Sequence, residues 1–356
     1  MRVPALLVVA VLTACAPAGS GGGAPAPEGG NATATVWPVL TRSHVDLWLH
    51  GYAMLLRDTA RVPVFRRGYR ERVEAARRER GVSTMLDANR ERLQSRLAVS
   101  PSLASGQFLP LYFANFDQMR EMIGLFIQAE GDPRAARDQA TAQYFAVLRQ
   151  SFPTAADRDW LRLFTEALEE ERGSFYQQYW TEQHGARISL VRAADSLWQG
   201  TYREKLQRFL NNTQQETGDI ILALTLGGEG RTVNFSARQN AIASTMPESD
   251  PREAIYVFTH EAVISIVATS VNDNITPTEQ RAGTGARYVT AGAVRAGQML
   301  LRRVAPELAA GYARYYLTQA GVADSGDIDA RLASTFSLPQ VILDAIDRQF
   351  DVVLGG

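Results

Sequence analysis

From residue 43 to about residue 214 the apolar side chains recur at three- and four-residue spacings, and this run commits half of the chain to helices before any other feature is considered. Val45, Leu47, Trp48, Tyr52, Leu55 and Leu56 form one apolar stripe over 44–58. Pro63 can open a second helix that continues to Arg80 and stops at Gly81. Further helices are expected over 84–97, 109–129, 132–151, 155–179 and 186–211. The fourth of these, over 155–179, carries Glu166, Glu169, Glu170 and Glu171 beside its aromatic stripe, an acidic cluster that reads as a solvated helix face. Trp48, Trp160, Tyr176, Tyr179 and Trp180 fall at helical spacings and read as core, with a peptide or glycan groove as the alternative.

At Gly218 the pattern changes. A short apolar run over 219–226, the Gly227-Gly228-Glu229-Gly230 cluster and a return over 231–235 read as a β-hairpin, with a third strand over 240–246 ended by Pro247. The glycine cluster lacks the Gly-Lys-Ser/Thr ending of a phosphate loop. Helices are expected again over 251–271, 287–304, 306–321 and 338–353. The expected fold class is therefore mainly α with a small antiparallel β-meander at about 218–246, an α+β arrangement in one large domain over 38–356.

The first residues describe an address. Met1-Arg2, an apolar stretch over 3–12 and small residues before Cys15 have the form of an export signal, and the stretch is too short to span a bilayer, which takes about 20 residues. Leu12-Thr13-Ala14-Cys15 resembles the bacterial lipobox. That resemblance implies a signal peptide over 1–14, acyl chains (palmitate among them) on Cys15, and attachment to a membrane by that lipid. Cys15 is the sole cysteine, so no disulfide forms within the chain and no thiol is left for catalysis. The rest of the 15–37 segment is rich in Gly, Ala, Pro, Ser and Thr, as a flexible tether would be. Ala16 stands where an inner-membrane retention signal would place Asp, so the resemblance implies a cell-envelope lipoprotein of the outer membrane. No later apolar run is read as a membrane span. With 37 basic and 38 acidic residues and a net charge of -1, the chain has no basic field for nucleic acid.

One constellation points to chemistry. His260-Glu261 lies within the helix expected after the strands, followed three residues on by Ile264. The zinc-peptidase motif His-Glu-x-x-His puts two ligands on one helix face and uses the Glu to activate a metal-bound water. Strands leading directly into a His-Glu helix, with helices after it, resemble the core of the zincin metallopeptidases, in particular the gluzincin branch, over residues 218–320. The resemblance assigns His260 to the first metal ligand and Glu261 to the catalytic general base. Ile264 occupies the second ligand's place and cannot bind metal, and zinc needs about three protein ligands. Asp273, Glu279 and Glu307 are the acidic residues that follow, and none has a secure ligand spacing. His44, His50 and His184 read as ordinary hydrogen-bonded histidines; His44 and His50, six apart, face away from each other on one helix. Three readings follow: ordinary helix residues, a degenerate zincin or pseudoenzyme that has lost its metal, or a zinc hydrolase with unusual ligands. No Gly-x-Ser-x-Gly elbow is present. A structural or ligand-binding envelope lipoprotein of unrelated helical fold completes the alternatives.

Overall fold

The structure, a computed structural model, describes residues 36–236, 239–323 and 326–355. Cys15, read above as the lipidation site, and most of the segment read as a tether lie outside these residues. The body begins at the end of the segment read as tether: Trp37 is fully buried, donates its indole N–H to Gln215 O and accepts at its own carbonyl from Trp198 Nε1.

The protein is mainly helical, as expected, but its sheet is not a meander. Four strands, β1 (Val39–Thr41), β2 (Gly218–Ala223), β3 (Arg231–Ser236) and β4 (Gln239–Thr245), lie in the order β1-β2-β4-β3. β1 and β4 both run parallel to β2, and only β3 is antiparallel, on the edge beside β4. The expected hairpin between β2 and β3 is therefore wrong, because β4 lies between them. The glycine cluster instead crosses a loop of the first helical half. Gly227 N–H donates to Val64 O and Glu229 N–H to Pro63 O, and Phe65 pairs with Leu226. A Cβ on Gly227 would meet Pro63 O at 2.9 Å, which is why glycine is needed there.

The two central strands are buried on both faces, and their continuous apolar runs are what a parallel sheet requires. Ile221 and Ala223 of β2 and Ala241 and Ala243 of β4 join one core with the helices of 43–179. Ile220, Leu222 and Ile242, pointing the opposite way, join a second core with the C-terminal helices. The fold is thus three layers, helices on either side of one sheet.

Helix boundaries differ from expectation where local chemistry intervenes. The Tyr69–Arg80 helix starts after Gly68, in the left-handed conformation, because residues 63–66 are bonded to the strand side. The helices expected over 155–179 and 186–211 are one unbroken helical run, Ala155–Glu171, Arg172–Tyr176, Gln177–Leu197, Trp198–Tyr202 and Arg203–Asn212. Its second and fourth segments are π-helical turns, and Trp180 packs against both cores between them. The apolar run Arg252–Asn272 is long and apolar enough to cross a membrane, a feature missed in the sequence. Most of its apolar window, 83%, is buried inside the protein, where it forms the centre of the second core.

Candidate functional site

His260 and Glu261 sit in the last turn of the Arg252–Ala262 helix, each 2% exposed. That helix opens with Glu253 in its first turn, whose carboxylate accepts from Glu248 N, Ser249 N and Asp250 N and so fixes the entry loop. It stops at Val263 (φ −89°, ψ −7°), and a second helix, Ile264–Asn272, follows directly. The expected single helix over 251–271 is therefore broken at the motif.

Strands and helix do pack together. Glu261 Oε1 accepts from Gly230 N–H at 3.0 Å and meets His260 Nδ1 at 2.9 Å, while Thr232 Oγ1 donates to Glu261 O at 3.3 Å. The edge strand is thereby clamped to the helix. A Cβ on Gly230 would lie 2.0 Å from Ala243 O and 3.1 Å from Glu261 Cγ, so the clamp needs glycine. The His260 ring stacks on Tyr316, centroids 5.3 Å apart and planes 19° apart. Tyr316 in turn donates its hydroxyl to Gly228 O at 3.0 Å.

A cleft of about 30 Å³ opens here, lined by Glu229, Gly230, Arg231, His260, Glu261, Ile264, Val289, Thr290 and Ala293. His260 Nε2 is buried without a hydrogen-bond partner. Burial, reinforced by the Glu261 carboxylate, pushes Glu229 up to about 7, with His260 and Arg231 opposing. Sequence reasoning missed Glu229, whose only signal was an acidic residue held among glycines.

The donor set does not fit a zinc ion. His260 brings one unpartnered nitrogen, Glu261 is already engaged by Gly230 N–H and His260, burial pushes Glu229 toward its protonated form, and Ile264, Val289 and Ala293 offer no donor. Among the described residues no group of three His, Cys, Asp or Glu side chains is placed to hold a metal. The other sequence candidates lie elsewhere. Asp273 caps the Ile264–Asn272 helix, Glu279 closes a capping box with Thr276, and Glu307 pairs with Lys205. His44 is bonded to the carbonyls of Pro110 and Phe113, and burial lowers its pKa to about 4. His184 meets Thr41 Oγ1 at 3.2 Å and stacks on Trp180.

His50 belongs to a buried network in the first core. Its Nδ1 meets Tyr69 Oη and its Nε2 meets Glu171 Oε1, each at 3.0 Å, and Arg77 also bonds Glu171. The acidic cluster is thus solvated at Glu166, Glu169 and Glu170, which engage Arg162, Arg120 and Met85 N at the surface. Glu171 is the exception, fully buried. Of the aromatic residues weighed as a groove, Trp48, Trp160, Tyr176 and Tyr179 are core, and Trp180 is half-buried. No family model, curated protein or solved structure matches this chain.

Proposed function

We propose that the protein is a lipid-anchored envelope lipoprotein with a non-catalytic body, in which a zincin-like His-Glu helix serves as a brace for the sheet edge. The observation that carries this reading is Ile264 lining the cleft beside His260, at the place where a second ligand would have to stand. Two further facts support it. Glu261, the residue the resemblance assigns to water activation, spends one carboxylate oxygen on Gly230 N–H and on His260. The cleft beside them is also small, about 30 Å³. A zinc peptidase is the competing reading, and metal analysis of the purified protein separates the two. The expected zinc content is well below stoichiometric and unchanged in His260→Ala. Stoichiometric zinc that disappears in that variant overturns the non-catalytic reading.

A further inference from the structure

A second polar cluster lies away from the His260 cleft, where the parallel strands end. Arg66 N–H donates to Thr225 O, and its guanidinium bonds Leu226 O, Thr245 Oγ1 and Met246 O. These contacts place Arg66 at the carboxyl ends of β2 and β4. In open α/β sheets this is the end at which ligands gather, because the diverging loops leave a crevice there.

Three guanidinium groups converge at this end on one carboxylate oxygen. Glu248 Oε1 lies 2.6 Å from Arg66 Nη1, 3.6 Å from Arg72 Nη2 and 3.7 Å from Arg187 Nη2. The three arginines come from three separate stretches: the loop before the Tyr69–Arg80 helix, that helix itself, and the long helix. Their exposures grade from floor to rim, Arg66 at 10%, Arg187 at 20% and Arg72 at 47%. Arg187 Nε is buried with no hydrogen-bond partner.

Within the cluster one carboxylate faces three guanidinium groups, so the four side chains together are net positive; the Glu253 carboxylate nearby is taken up by the N–H groups of Glu248, Ser249 and Asp250. Asp46 lies behind Arg66 but is already engaged by Trp180 Nε1, Leu224 N and Thr225 N, and its burial pushes it up to about 7. Like charges held together in a half-buried site repel far more than at an open surface. A dianion removes that repulsion, and arginine forks match the tetrahedral oxygens of a phosphoryl group. Glu248 is the movable part. Its side chain is 43% exposed, while its backbone is held independently by Glu253, so the carboxylate can leave without the loop unfolding.

We propose that Arg66, Arg72 and Arg187 form a binding site for a phosphate group, with the Glu248 carboxylate seated in it in the free protein. The chemistry is shared by free phosphate and by the phosphomonoester headgroup of an acidic lipid, both of which reach the dianion near neutral pH. Calorimetric titration of the full-length protein tests it, with inorganic phosphate and glycerol 3-phosphate as the two probes. Wild type binds weakly and saturably, and Glu248→Gln tightens binding about tenfold by removing the competing carboxylate. Adding Arg187→Gln to that variant abolishes it. Tighter binding of the glycerol ester favours an esterified phosphate, as in the lipid headgroup, and tighter binding of inorganic phosphate a free anion; either outcome supports the site. Absence of saturable binding in Glu248→Gln with an unchanged circular dichroism spectrum overturns the proposal. So does an affinity that neither Arg72→Gln nor Arg187→Gln alters.

Discussion

At the scale of single residues, the charges that matter most are the ones the sequence hid. Glu171 stands beside Glu169 and Glu170 with nothing in its neighbourhood to mark it, yet it is buried against His50 and Arg77. Burial raises its pKa, but the bonds to His50 and Arg77 outweigh that and hold it down at about 2. Removing one partner of such a group leaves the other buried and unpaired, which costs about 3–5 kcal/mol. Glu171→Gln should therefore lose that much in urea unfolding, while Glu169→Gln, on the surface with Arg120, should change by less than about 0.5 kcal/mol. Equal effects in the two variants would show that the network is not what holds the first core. Glu229 gives a pH dependence of known sign. Its pKa rises from 4.5 to about 7 on folding, so the folded protein holds a proton that the unfolded chain releases. The contribution is complete below the unfolded value and drains away as pH rises through about 7. Asp46, raised from 3.8 to about 7, acts in the same direction, and His44, lowered to about 4, acts in the opposite one. The stability of wild type relative to Glu229→Gln should thus fall between about pH 5 and pH 8, measured by thermal melts. A flat difference across that window would place Glu229 in water.

At the scale of elements, periodicity located the helices well and the strands approximately. The helical runs at 43–55, 284–304, 306–319 and 340–354 lie close to where their apolar stripes put them. The join between the 155–179 and 186–211 patterns was not readable, because residues between the two cores are half-exposed and carry no stripe. Nor were the two π-helical turns, which arise from packing Tyr176 and Trp198 into different cores along one helix. Glycines supply a controlled comparison. Gly230→Ala drives a Cβ into the Ala243 carbonyl and should cost about 2–3 kcal/mol, loosening the edge strand from Glu261. Gly185→Ala, on an exposed helical position with nothing within 4 Å, should stabilise by about 0.5–1 kcal/mol. Thermal unfolding of both variants checks the pair, and a neutral Gly230→Ala would mean that the edge strand yields.

At the scale of the whole molecule, the body is one sheet between two helical cores, and the proposed lipid would hold it from the side of β1 and Trp37. The proposed anchor makes a direct expectation. Cys15→Ser should move the protein from the membrane fraction to the soluble envelope fraction with its melting temperature unchanged, and continued membrane retention would remove the lipid from the argument. Strand pairing is where sequence reading stopped. Alternating apolar faces and a glycine turn are compatible with a meander, and the same residues build β2 and β4 side by side in parallel. Further from any local pattern is β1, 3 residues that pair with Ile220–Leu222 across the whole first helical set. The sequence by itself determined the helical class, the positions of most helices, the His-Glu dipeptide and the absence of a second ligand at Ile264, since each depends on residues a few positions apart. Only the tertiary structure decided the parallel sheet, the burial of Glu171, the Gly230 clamp on Glu261 and the gathering of Arg66, Arg72 and Arg187 on Glu248. Each of those is a contact between residues far apart in the chain, and no local periodicity encodes which distant partner closes it.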